Sequence, residues 1–144
     1  MKKIIIVLLV FVPVYSSVCQ SDIKEGQKEF MYFVYSDGNR VADLSSKQQQ
    51  LHIQKIGAYI QKLAKAGNLK DAQPLGMEGI KISFKKKVFS ETSISKNKMT
   101  IAGYYHILAN DMEEAITIAK ADPRFEEDGW EIIIRPIKKV ERIN

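Results

Sequence analysis

Phe30-Met31-Tyr32-Phe33-Val34-Tyr35 runs straight into Ser36-Asp37-Gly38-Asn39. The hexapeptide is aromatic and aliphatic throughout and the tetrapeptide has turn chemistry, so the segment reads as a strand that ends in a turn. Side chains on a strand alternate between two faces. Here both sets, Phe30/Tyr32/Val34 and Met31/Phe33/Tyr35, are apolar, so this strand expects cover on both sides.

Reading forward, Ser45 with Gln48 three residues on makes a capping-box start. His52, Ile56, Tyr59 and Leu63 then recur at helical spacing, widened by Ile53 and Ile60, and Gly67 is placed to stop the helix. Residues 68–79 read as a connection. Ile80, Ile82 and Phe84 alternate with Lys81, Ser83 and Lys85, a half-exposed strand that turns at Lys85-Lys86-Lys87 into a short return at Val88-Phe89. Residues 90–100 are polar and read as irregular. Gly103 to Ala109 is the next strand, again apolar on both faces. Asp111, with Glu113 and Glu114 behind it, starts a second helix whose expected buried stripe is Met112, Ala115, Ile116 and Ala119, with Pro123 as its close. Trp130 to Arg135 is the last strand, and 138–144 is a charged tail.

This order predicts an α+β domain over 28–137 on a ferredoxin-like, split β-α-β plan, with two helices on one face of the sheet. Two helices cover one face only. Five or six large apolar side chains on the other, each worth roughly 1.5–3 kcal/mol when buried, are too much to leave in water. A homodimer packed sheet to sheet, a dimeric α+β barrel, is the expected answer.

The first nineteen residues read as a signal peptide: Lys2 and Lys3, an apolar run from Ile4 to Tyr15, then small residues at Ser16 and Ser17. The run is shorter than the ~20 residues a membrane span needs. Cleavage before Gln20, with Ser17 and Cys19 at the positions that favour small residues, releases a mature chain with no cysteine; a lipid anchor on Cys19 is the alternative. Residues 20–27 are then a polar lead-in, and the expected location is periplasmic or extracellular. Of the net charge of +5, two units belong to Lys2 and Lys3, which leaves +3 on the mature form. That balance gives nucleic-acid binding no support. With two histidines on separate elements and no mature thiol, no metal site or cofactor is expected.

From about Phe30 to Ile137 the chain resembles the YCII-related (DGPF) family. The stretches that carry the likeness are HIQKIGAYIQKLAKAG (52–67), AGYYHILANDMEEAITIAKADPRFE (102–126) and GWEIIIRPI (129–137). The resemblance implies the dimeric α+β barrel and a His–Asp pair in a cleft, and one branch of the family is linked to ring chemistry on chlorinated aromatics. The family's Asp-Gly-Pro-Phe falls here on Glu91-Thr92-Ser93-Ile94, so only the acidic first position is kept. The implied catalytic pair is His52 and Glu91.

His52, early on its helix and on the sheet-facing stripe, suits a neutral general base; the other reading is an inert histidine at the core margin. Tyr104, His106 and Tyr32 are candidate ligand-binding residues for a flat apolar or aromatic molecule inside the barrel, against core and dimer interface as the alternative. Whether the domain catalyses acid–base chemistry without a cofactor, or is a non-catalytic dimeric binding or scaffolding module that has lost the family site, is left open by these residues.

Overall fold

The computed structural model describes residues 23–38, 40–94 and 99–138. The segment read as a signal peptide, Cys19, and all of the tail beyond Lys138 lie outside the described residues. The elements in chain order are β1 (Lys28–Asp37), α1 (Ser46–Ala66), β2 (Leu69–Pro74), β3 (Ile80–Lys85), β4 (Val88–Ser93), β5 (Met99–Ala109), α2 (Met112–Lys120) and β6 (Trp130–Pro136), with a 3-10 turn at Pro123–Glu126 between the last two. The protein is α+β. Strands β2-β5-β1-β6 form one antiparallel sheet in that order, and β3-β4 form a separate two-stranded sheet.

The strand at 30–35 lies inside the larger sheet, paired on one side to β5 and on the other to β6. Tyr32 faces Tyr105 on one neighbour and Ile134 on the other. The even set, Phe30, Tyr32 and Val34, joins Tyr105 and Ile107 of β5 with Tyr59 and Leu63 of α1 and Ala115 and Ala119 of α2 in one buried cluster. Both helices therefore pack on the even face. Tyr32, Val34 and Ile107 are almost wholly removed from water, at roughly 1.5–3 kcal/mol each.

Two phenols tie α2 down within this apolar layer. The Tyr32 hydroxyl donates to the Ala115 carbonyl, and that of Tyr59 donates to Ile118 O at 2.6 Å. Buried hydroxyls need such partners, or their desolvation opposes folding. Ala115 and Ala119 keep the facing stripe of α2 small, so the helix sits close to the sheet.

The helix ends follow local chemistry. Ser45 and Gln48 make the capping box, and Gly67 takes the left-handed conformation (φ 74°) that ends α1. Asp111 caps α2, accepting from Glu114 N at 2.9 Å.

Three expectations are corrected. The connection at 68–79 contains strand β2, paired to the far edge of β5; it carries Asp71 and Pro74 and no alternating apolar pattern, so only tertiary pairing reveals it. At this edge the backbones come close: a Cβ on Gly103 would stand 2.9 Å from Gln73 O. Second, residues 88–93 are a full strand rather than a short return, and β3 and β4 pair only with each other. Their turn places Lys86 and Lys87 at positive φ, as two-residue hairpin loops require, and Ile80, Ile82, Phe84, Val88 and Phe89 stay exposed. Third, Met112 and Ile116 face solvent, while Ile118 packs against the core. Among the described residues no helix is long and apolar enough to cross a membrane.

The odd face carries Met31, Phe33 and Tyr35, all half-buried. It also holds polar groups. The carboxylate of Glu29 meets His106 Nε2 at 2.7 Å and Lys70 Nζ at 3.0 Å, and Tyr104 donates to Asp71 at 2.7 Å.

Candidate functional site

The even face is not covered end to end. Where β1 runs out through Val34 to Gly38, β5 enters through Ala102 to Tyr105 and β6 begins at Trp130, the first half of α1 stands off the sheet. The space between is a cleft of about 420 Å³, closed on one side by the segment after β2. Its walls are mainly apolar: Val34, Ile56, Ile60, Leu75 and Met77 among them. Gly57 of α1 faces this space, and a Cβ added there would meet no atom within 4 Å. A glycine inside a helix costs about 1 kcal/mol relative to alanine; here it leaves room.

The polar groups gather at one end. Helix α2 stops and the chain turns through Asp122-Pro123-Arg124. Asp122 is buried, and its Oδ1 accepts from the Arg124 backbone N–H at 2.9 Å, which fixes the turn. Its Oδ2 accepts from Arg124 Nη1 at 2.9 Å, and the same Nη1 donates to the Tyr105 hydroxyl. The guanidinium carbon lies 5.5 Å from the centroids of both the Tyr105 and the Trp130 rings, within the range of a cation–π contact. Burial pushes the Tyr105 phenol up to about 12, against the opposing pull of Arg124, so it remains protonated.

His52 reaches this end from α1 and stacks on Trp130, with ring centroids 5.7 Å apart and planes 20° from parallel. Burial lowers its pKa first and the nearby Arg124 lowers it further, while Glu127 and Asp122 pull the other way. The neutral imidazole is therefore the favoured form at pH 7. Arg40, in the segment after β1, completes the ring of residues: a Cβ on Gly129, where φ is 88°, would fall 2.2 Å from Arg40 Nη1. Arg40 Nε and Trp130 Nε1 are buried without hydrogen-bond partners among the described residues.

The five expected site residues separate. Only His52 lines the cleft. Glu91 lies exposed on β4, opposite Ile82, in the separate hairpin, and no hydrogen bond or ion pair joins it to His52 among the described residues. Tyr32 is sealed in the core beneath α2. Tyr104 and His106 project from the odd face, bonded to Asp71 and Glu29. The structure adds Arg40, Asp122, Arg124 and Trp130, which sequence reading passed over. The available signal was the Asp-Pro-Arg turn followed closely by the chain's single tryptophan.

What the arrangement can do chemically is bind. It offers an apolar slot, a flat indole–imidazole surface, and guanidinium donors at one end. No group of three or more His, Cys, Asp or Glu able to hold a metal occurs among the described residues. No protein-family model matches the chain, and no curated protein matches it.

Proposed function

We propose that this chain is an exported binding protein that takes a small apolar or aromatic ligand into the cleft between α1 and the sheet. The observation that carries the reading is the cleft itself: mostly apolar walls, kept open at Gly57, with polar groups converging at one end. Binding is preferred to catalysis because no carboxylate orients the His52 ring by a hydrogen bond among the described residues. An acid–base role for His52 retains one support, the neutral imidazole inside the slot.

The wider frame is part of the same proposal. The strand order β2-β5-β1-β6, with β3-β4 as an insertion, supports the ferredoxin-like plan and the YCII-related resemblance. Met31, Phe33 and Tyr35 on the helix-free face support a homodimer formed there. The charged, apolar and small-residue succession at 1–19 supports export.

The test uses the neutral apolar fluorophore N-phenyl-1-naphthylamine with the purified protein and a Gly57→Leu variant. Leucine at that position fills open space without a backbone clash and favours the helix. Probe emission rises with the wild-type protein and is lost in the variant, whose stability is unchanged or higher. Equal binding by both proteins would put the probe elsewhere, on the exposed hairpin for instance, and would remove the reading.

A further inference from the structure

We infer that the ligand of this cleft is an amphiphilic anion, an aromatic or aliphatic carboxylate whose head group is held by Arg40 at the Trp130 end; the inference rests on the cleft-binding reading above and names the ligand class. The charge balance of the lining points there. Among the described residues two arginines line the cleft and no aspartate or glutamate does. Asp122 stands behind Arg124 and neutralises it through a 2.9 Å contact. Arg40 has no such partner: among the described residues it forms no hydrogen bond or ion pair, although it is half-buried and its Nε is shut off from water.

An Nε–H closed off from water with no acceptor opposes folding unless something satisfies it. An acceptor of good geometry satisfies such a donor, and a negative charge on that acceptor strengthens the bond. Among the described residues no acidic side chain supplies one. A ligand carboxylate does, because a planar guanidinium matches a carboxylate in a paired, two-bond geometry.

Position agrees with charge. Arg40 packs against Gly129, whose lack of a Cβ leaves room for the guanidinium, and the next residue, Trp130, supports Arg124 on its ring. The cation thus lies at one end of the slot and the apolar walls of α1 and the β2–β3 segment at the other. The neutral His52 beside it adds no competing charge and can donate or accept one hydrogen bond. A ligand with a flat or extended apolar body and one anionic end satisfies both ends together; a neutral hydrocarbon satisfies only the walls.

The experiment compares 3-phenylpropionate with its neutral isostere 3-phenylpropanamide, titrated into the full-length protein and followed by the emission of Trp130, the only tryptophan. The acid is expected to bind roughly tenfold or more tightly than the amide, as a charge-assisted pair warrants. Arg40→Gln should erase that preference by weakening the acid more than the amide, and Arg40→Lys should keep part of it. Thermal unfolding of each variant establishes that it is folded, and the wild-type comparison of acid with amide stands without any variant. Equal affinities for acid and amide, or a preference that survives Arg40→Gln, would overturn the inference and leave the apolar-cleft reading intact. So would binding of N-phenyl-1-naphthylamine with no binding of the acid. Failure of all three probes would overturn both.

Discussion

Replacing Asp122 by alanine should be among the most damaging single changes in this protein, and the structure says by how much. The side chain is fully buried and makes two bonds to one residue, capping the turn through the Arg124 backbone N–H and holding the Arg124 guanidinium, both at 2.9 Å. Losing the cap costs about 1 kcal/mol. Losing the counter-charge leaves Arg124, whose side chain is only 13% exposed, supported by the Tyr105 hydroxyl and two aromatic faces. Stranding a buried charge costs about 3–5 kcal/mol, and the residual exposure of Arg124 reduces this to about 2–3. The combined loss is about 3–4 kcal/mol, a large part of the ~5–15 kcal/mol that holds a typical domain together.

Urea unfolding followed through Trp130 emission at one fixed protein concentration measures it. Asp122→Asn keeps an oxygen to accept from the Arg124 N–H, so it should lose only about 2–3 kcal/mol. Adding Arg124→Leu to Asp122→Ala removes the stranded cation, and the double variant should be more stable than the two single losses combined, by about 1 kcal/mol or more. A loss below about 1 kcal/mol for Asp122→Ala, or strict additivity in the double variant, would refute the claim that this carboxylate organises the end of the cleft.

Core and hairpin should respond very differently to truncation. Ile107→Ala, at a fully buried site beside Phe30, is expected to cost about 2–5 kcal/mol, whereas Phe84→Ala on the exposed hairpin should cost less than about 1; similar losses in urea would mean that the hairpin is covered in solution. Stability should also depend on pH through His52. Its folded pKa lies below the ordinary 6.5, so below pH 6.5 the unfolded chain gains a proton that the folded chain refuses. Stability then falls as pH drops from 6.5 and levels off below the folded value. Glu29, lowered chiefly by its bond from Lys70, adds a separate loss only below 4.5. His52→Gln should flatten the upper window alone; an unchanged slope there would show that His52 does not titrate as described.

The parts of the fold that were legible in the sequence are those set by neighbours along the chain. Ser45 with Gln48, Gly67 and Asp111 mark helix ends because a cap is made within a few residues. The aromatic run at 30–35 marks a strand because such residues favour a pleated, buried surface and a turn follows directly. Strand β2 escaped for the converse reason. Its Lys70, Asp71 and Gln73 have no preference for a strand, and its conformation is imposed by the β5 edge. The hairpin partition escaped likewise, since alternation in β3 is compatible with pairing to the main sheet or to β4 alone.

The site divides along the same line. His52 was visible as a polar residue on an apolar helical stripe, and that much is a property of the sequence. Its partners were not. Arg40 and His52 lie far along the chain from Arg124 and Trp130, and the four meet only because β1, β5 and β6 are neighbours in one sheet with α1 crossing above their ends. Which face of a strand a side chain occupies follows from alternation, but which face the helices choose is a matter of packing. That choice put Tyr32 in the core and Tyr104 and His106 on the opposite side of the sheet, and it left the cleft to residues whose chemistry is unremarkable until the tertiary structure brings them together.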